Sequence, residues 1–178
     1  MAEALIFAQT IEGLLRALGT LSHEDLDALR ALGLDATKPL LPAYRLELFI
    51  ALMDWAGARV APGRTSLEQT RELGRRFMDA YQQTLIGRAM VAGMRVIGPW
   101  RTLQRLTHKF RTGNNFSETA LTRHGEREAE LWCNQVSRPG WYLGLLSRGL
   151  EQAGAVDVTV ELLSCDDSGG RFRIRWKE

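Results

Sequence analysis

The sequence predicts an α+β fold, with N-terminal helices followed by a hairpin–helix–hairpin that builds a four-stranded antiparallel sheet packed on helices. Three observations lead there. Apolar residues recur at helical spacing through the first two-thirds of the chain. The last third switches to alternation, with Val158, Val160 and Leu162 matched by Phe172, Ile174 and Trp176. Between the two strand pairs, Pro139 and Gly140 open one further helix. A length of 178 residues suits a single domain, 1–178, with a helical part over about 1–111 and a sheet-containing part over about 112–178.

The elements follow in order. Ile11, Leu14, Leu15 and Leu18 share a face of a helix over Ala8–Leu18, which Gly19 ends. Ser22 caps a short helix with Asp25 at its third position, Leu21 and Leu26 staple that end, and Gly33 suits its stop. After Pro39 and Pro42, the spacing of Leu46, Phe49, Ile50 and Met53 predicts a buried helical stripe. Ala61-Pro-Gly-Arg64 is a loop, and Thr65-Ser66-Leu67-Glu68-Gln69 holds two overlapping capping boxes. The helix begun there is expected to run into the nineties, with Gly87 and Gly93 as places to bend. Gly98-Pro99 precedes another helix, Trp100 to about Phe110. Phe116–Thr122 and Glu128–Asn134 read as strands joined through His124-Gly125-Glu126. The helix from Pro139 carries Tyr142, Leu143, Leu146 and Leu150, and Gly154 follows it. Asp166-Asp-Ser-Gly-Gly170 turns the final hairpin.

That hairpin allows a register argument. If Phe172, Ile174 and Trp176 are buried with Val158, Val160 and Leu162, the period of two puts Arg171, Arg173 and Arg175 on the other face. Glu161 is then expected opposite Arg173, a cross-strand pair contributing about 0.2–1 kcal/mol.

Composition narrows the function classes. Net charge is +2, too near balance for a general polyanion binder, and 45% hydrophobic residues with five Trp suffice for a substantial core. Cys133 and Cys165 fit no Cys-x-x-Cys pattern and sit in strand-like segments as small apolar groups, so a reduced, cytoplasmic chain is expected. The start lacks a basic n-region, and no stretch approaches the roughly 20 apolar residues of a membrane span. His23, His108 and His124 have no ligand-spaced partner, so no metal is expected. There is no Gly-x-Ser-x-Gly elbow and no Walker or dinucleotide glycine motif. Asp25/Asp27 and Asp166/Asp167 sit where helix starts and turns favour acids. The expectation is a protein that is not an enzyme and carries no cofactor.

The chain's charges are nevertheless uneven. From Ala80 to Ser117 it holds Arg88, Arg95, Arg101, Arg105, Lys109 and Arg111 without one acid, whereas residues 1–57 are acid-rich. Arg101, Arg105 and Lys109 form a basic stripe at i+4 steps, readable as a solvated face or as an anion site. Glu72–Arg76 and Arg75–Asp79 read as ordinary i+4 pairs. Arg111-Thr-Gly-Asn-Asn-Phe116 can reverse the chain and expose backbone N–H groups as an anion nest, or serve only as a helix cap and strand entry. Gly74, Ala80, Thr84 and Gly87 would let a helix of this chain or of a second subunit approach closely. The candidate ligand contacts are Arg88, Arg111, Asn114 and Asn115, with Tyr81 and Trp100 as walls.

Leu73-Gly-Arg-Arg-Phe77, Gln83-Thr-Leu-Ile-Gly-Arg88, Gly98-Pro-Trp-Arg101, Phe110-Arg-Thr-Gly-Asn-Asn-Phe116, Tyr142-Leu-Gly-Leu-Leu146 and Phe172-Arg-Ile-Arg-Trp176 follow one another in order. Together they resemble a myxobacterial paralogous family designated a domain of unknown function, over nearly the whole chain. More remotely, helices followed by hairpin, helix and hairpin are similar to the haem-nitric-oxide-binding, vinyl-reductase and transport-particle subunit superfamily. That resemblance implies a small-molecule sensor or an assembly subunit. The Tyr-x-Ser-x-Arg haem-propionate motif, the vinyl-reductase cysteine cluster and a matching acylated cysteine are all missing here.

The expected function is a non-enzymatic cytosolic regulatory or small-ligand-binding domain, signalling through an anionic small molecule and working as a homodimer or with a partner protein. The alternative is an assembly or adaptor module docking partners through the glycine-bearing helix and the Arg171/Arg173/Arg175 face. Nucleic acid is not expected, for want of a reader motif.

Overall fold

Local rules decide the helix ends. The computed structural model describes residues 3–83 and 85–177, and their side chains except those of residues 85–87, 90, 109 and 111. Strand β1 (Leu5–Phe7) leads into helix α1 (Ala8–Ala17). Helix α2 (His23–Leu32) starts at Ser22, whose hydroxyl accepts from the Asp25 N–H while the Asp25 carboxylate accepts from the Ser22 N–H. Gly33 ends it at φ 101°, a backbone angle that favours glycine. Strand β2 (Ala43–Arg45) pairs antiparallel with β1, and α3 (Leu46–Val60) follows. Helix α4 (Ser66–Gln82) begins at the Thr65–Glu68 capping box. The β1–β2 pair is absent from the sequence reading, because three-residue strands have no period to detect.

Helix α4 also stops sooner than its apolar pattern suggests. It ends at Gln82, and α5 (Leu85–Lys109) takes over, kinked at Gly98 (φ 79°, ψ 171°). Pro99 disfavours helical backbone in the residue before it, and the Thr102 hydroxyl donates to the Met94 carbonyl across the break at 3.3 Å. A 3-10 turn, Phe110–Thr112, leads to β3 (Thr119–Gly125) and β4 (Glu128–Cys133). Helix α6 (Pro139–Gln152) then precedes β5 (Val156–Asp166) and β6 (Gly169–Lys177).

The sheet is antiparallel in the order β3-β4-β6-β5, so the two hairpins meet along β4 and β6. Val160 lies opposite Ile174, Leu162 opposite Phe172 and Glu161 opposite Arg173, the expected register. On the outer face Arg171 pairs with Glu130 at 2.7 Å, and Arg175 with Glu128 at 3.2 Å.

Helix α6 lies at the centre. Its Leu143, Leu146 and Leu150 pack on Leu131, Phe172 and Ile174 of the sheet, while Trp141 and Leu145 join Phe49, Leu52 and Leu73 in the helical core. Each such fully buried side chain contributes about 1.5–3 kcal/mol. Against α4 the approach is close: a Cβ on Gly74 would lie 2.5 Å from the Trp141 carbonyl oxygen, and one on Gly144 would strike the Arg71 backbone. The small-residue stripe of α4 thus serves a helix of the same chain. Thr84 and the surroundings of Gly87 lie outside the described residues. Arg75 does not reach Asp79. It forms a two-point pair with Glu151 at 2.8 and 2.9 Å, and Asp79 goes to Arg148 at 2.6 Å, so the i+4 reading gives way to ties between α4 and α6. Burial disfavours the Glu151 charge, but hydrogen bonds from Arg75 and Arg148 outweigh it and lower the carboxyl.

Candidate functional site

A cavity of about 340 Å³ opens between α1, α4, the end of α5 and α6. Its walls are apolar: Phe77 and Met78 from α4, Leu106 and Phe110 from α5 and the turn after it, Leu145 and Leu146 from α6. Helix α1 supplies the polar side through Gln9, Thr10, Glu12 and Arg16, and Glu12 and Arg16 pair at 2.7 Å. Gly13 is small for a reason. A Cβ there would lie 2.5 Å from Cε2 of Phe77, so the ring rests against the α1 backbone. Volume and lining match the apolar clefts with a few polar groups that hold small molecules.

A second chamber of about 120 Å³, here the inner one, adjoins the first on the side of helix α6 and the turn after α5. It shares Thr10, Phe77, Phe110, Gly113 and Leu145 with the first. Its polar lining comes from Asn114, Ser117, Gln135, Ser137, Arg138 and Tyr142. Arg138 is held by Asp54 through two hydrogen bonds from α3, so its charge is matched. The Tyr142 ring stacks on Phe172 at 5.5 Å, and its hydroxyl donates to the Gln135 carbonyl at 3.3 Å. Burial pushes the Tyr142 phenol well up, and the neighbouring Ser117 hydroxyl opposes this only weakly. The Ser117 hydroxyl is itself buried and makes no well-formed hydrogen bond with any protein group.

The candidate contacts are spread unequally around this space. Tyr81 stands at the outer mouth, and Asn114 lines the inner chamber. The Asn114 amide donates to the Phe110 carbonyl at 3.0 Å and accepts from the N–H groups of Phe116 and Ser117 at 3.1 and 2.7 Å. Asn115 donates to the Glu3 carbonyl and accepts from the Leu5 N–H. Both asparagines therefore fasten the turn to itself and to β1. The N–H groups of Gly113 and Asn115 are bonded within the protein as well, so these four donors build no anion nest. Arg88 is exposed on α5, away from the cavity lining. Trp100 lies under the Arg123 guanidinium, 4.7 Å from the ring centre. The Arg111 side chain lies outside the described residues.

Other charged and reactive groups lie elsewhere. Arg101 and Arg105 are exposed, and the Lys109 side chain is not described. Of the acids in the first third, Glu3, Asp25 and Asp54 pair with Arg45, Arg59 and Arg138, and Glu12, Asp27 and Asp35 with neighbouring bases. Burial raises the Cys133 thiol to about 12, leaving it inert, whereas Cys165 is exposed. Among the described residues no group of His, Cys, Asp and Glu could hold a metal ion. No described helix is long and apolar enough to cross a membrane. Phe77, Leu106, Phe110, Leu145 and Ser117 were not singled out from sequence. Their one local signal is Gly13, an interior helix glycine that costs about 0.5–1 kcal/mol unless something rests on it.

A family model described as "Protein of unknown function (DUF2378)" matches residues 4–177. The chain belongs to that family. No curated protein matches it. Among solved structures, this DUF2378 chain is similar to a variant of Tt H-NOX, with TM-score 0.63, 16% identity, and coverage of 97% of this chain and 96% of that one. The unliganded Fe(II) H-NOX protein from K. algicida gives TM-score 0.63 at 13% identity, covering 94% and 96%. A third, titled "Modulating Heme Redox Potential Through Protein-Induced Porphyrin Distortion", gives 0.61 at 16% identity, covering 95% and 93%. At such identities the likeness establishes the H-NOX-like fold and nothing finer. Haem does not fit the residues present. Haem iron takes an axial His, Cys, Tyr, or Met beside His. Among the described residues lining either chamber none is a histidine or cysteine; Met53 and Met78 have no histidine with them, Tyr81 is a rim residue, 37% exposed, and the Tyr142 hydroxyl donates to the Gln135 carbonyl while burial keeps its phenol protonated. His108 lies between Leu106 and Phe110 in sequence but is exposed, its helical position turned away from the face they share.

Proposed function

We propose that this DUF2378 chain is a non-enzymatic regulatory domain that binds a small, largely apolar molecule, not haem, in the space between α1, α4, α5 and α6. The observation that carries this reading is the 340 Å³ cavity with apolar walls and a polar α1 rim, enclosed on one side by the helix that also carries the sheet. The H-NOX-like fold supports it, since a solved structure of similar fold is an oxygen-binding H-NOX domain related to soluble guanylate cyclases. Tyr81 is the candidate contact that this reading retains at the entrance.

Assembly without a ligand finds less support. The glycine face of α4 is occupied by α6, and Arg171, Arg173 and Arg175 have carboxylate partners within the sheet.

The neutral fluorescent probe N-phenyl-1-naphthylamine tests the reading. The purified chain should bind it saturably with enhanced emission. Leu106→Trp, which places an indole into the cavity from its partly exposed wall, should weaken binding at least about tenfold, the equivalent of roughly 1.4 kcal/mol. Unaltered binding by that variant would rule the cavity out.

A further inference from the structure

Ser117 is the feature that the fold does not explain. It is 4% exposed, lines the inner chamber, and its hydroxyl makes no well-formed hydrogen bond with any protein group. Buried hydroxyls are nearly always hydrogen-bonded, because leaving one unpaired loses the hydrogen bonds that water would supply. Gln135 and Ser137 lie in less buried parts of the lining, the Tyr142 hydroxyl stands beside Ser117 without a well-formed bond to it, and the remaining polar groups are engaged. Asn114 uses both ends of its amide on backbone, Tyr142 donates to Gln135, and Arg138 is held at two points by Asp54. Among the described hydroxyls of the lining, Ser117 is thus the buried one left able to donate and accept, beside an arginine whose charge is matched.

The wall between the chambers consists of side chains more than backbone. Phe77, Phe110, Leu145 and Thr10 face both spaces, and Gly113 is the one backbone element they share. A Cβ on Gly113 would lie 2.7 Å from the Thr10 hydroxyl oxygen, so that corner is already drawn tight. The two aromatic rings are half-buried, packed edge-to-face on Trp141 and Tyr142, so the spaces are divided by side chains that a ligand can displace without moving backbone. An elongated molecule can therefore extend from one chamber into the other.

Resting on the cavity reading above, we infer that the inner chamber receives the uncharged, hydrogen-bonding end of an elongated ligand — an alcohol or amide head against Ser117 — while its apolar body fills the outer chamber. A carboxylate head is disfavoured. It would be buried beside an arginine that already has its carboxylate, and an uncompensated buried charge costs more than a hydrogen bond returns. This replaces the anionic small molecule expected from the basic stretch.

The experiment is displacement of N-phenyl-1-naphthylamine from the full chain by octanol, octanamide and octanoate at neutral pH. The two neutral compounds should displace it at about tenfold lower concentration than octanoate. Ser117→Ala should lose about three- to tenfold in affinity for octanol and octanamide relative to its own affinity for octanoate, and melt no lower than wild type, since no well-formed hydrogen bond is removed. Probe binding with equal competition by all three compounds would overturn the head-group assignment and leave the cavity reading standing. So would a marked drop in the melting temperature of Ser117→Ala, which would reveal a protein partner for the hydroxyl. Failure of the wild type to bind the probe at all would overturn both.

Discussion

Gly144 of α6 lies so near Arg71 of α4 that an added Cβ would sit 2.9 Å from the Arg75 nitrogen and 3.0 Å from the Arg71 carbonyl carbon. These are backbone atoms of a buried helix and cannot step aside. Gly144→Ala should therefore destabilise the protein by roughly 1–3 kcal/mol, despite alanine's better helix propensity. Gly93 of α5 is the control, because a Cβ there meets nothing within 4 Å. Gly93→Ala should stabilise by about 0.5–1 kcal/mol. Urea denaturation of the two variants should give midpoint shifts of opposite sign.

Asp25 provides a pH test. The Arg59 hydrogen bond, then the Ser22 N–H, lower its carboxyl from the ordinary 3.8 to about 2. A folded-state value below the unfolded one means that stability is present above the unfolded value and drains away as pH falls towards the folded one. Asp25→Asn should therefore be less stable than wild type at neutral pH. The gap between the two should narrow as the pH is taken from about 4 down to about 2. Melting curves across that range check it, and a gap independent of pH would show that the carboxylate charge plays no part.

Asn114 is expected to act on stability before any ligand is added. Its removal leaves the Phe116 and Ser117 N–H groups and the Phe110 carbonyl without their partner. Asn114→Ala should cost about 1–3 kcal/mol in ligand-free urea unfolding. Asn114→Asp, which keeps the two acceptor bonds and loses only the donor, should fall between alanine and wild type. Equal stability of all three would release Asn114 from its structural role.

The features readable from sequence share a short range. The Ser22–Asp25 box, the Gly33 stop and the Glu161–Arg173 register each follow from a few neighbouring residues and one period. What escaped reading depends on distance along the chain. Arg75 has an acid four residues on, yet it pairs with Glu151, 76 positions away, because α6 is pressed against α4 there. The cavity escaped for a related reason. Phe77, Leu106, Phe110 and Leu145 come from separate elements, and each alone looks like ordinary core. Charge asymmetry pointed to Arg88 and Arg101, but it reports what a surface displays to water. It is silent about a space walled by hydrocarbon, of which Tyr81 at the mouth and the Thr112-Gly113 turn were the parts singled out.

Helix α6 is a partition with two tenants. Leu146 belongs both to the cavity lining and to the layer beneath Phe172 and Ile174, and one residue earlier Leu145 faces the other helices. Because interiors are as dense as organic crystals, such a partition has no slack in which to absorb a push. The cavity on the α1 side and the strands beneath Phe172 and Ile174 therefore have a wall in common, one leucine thick.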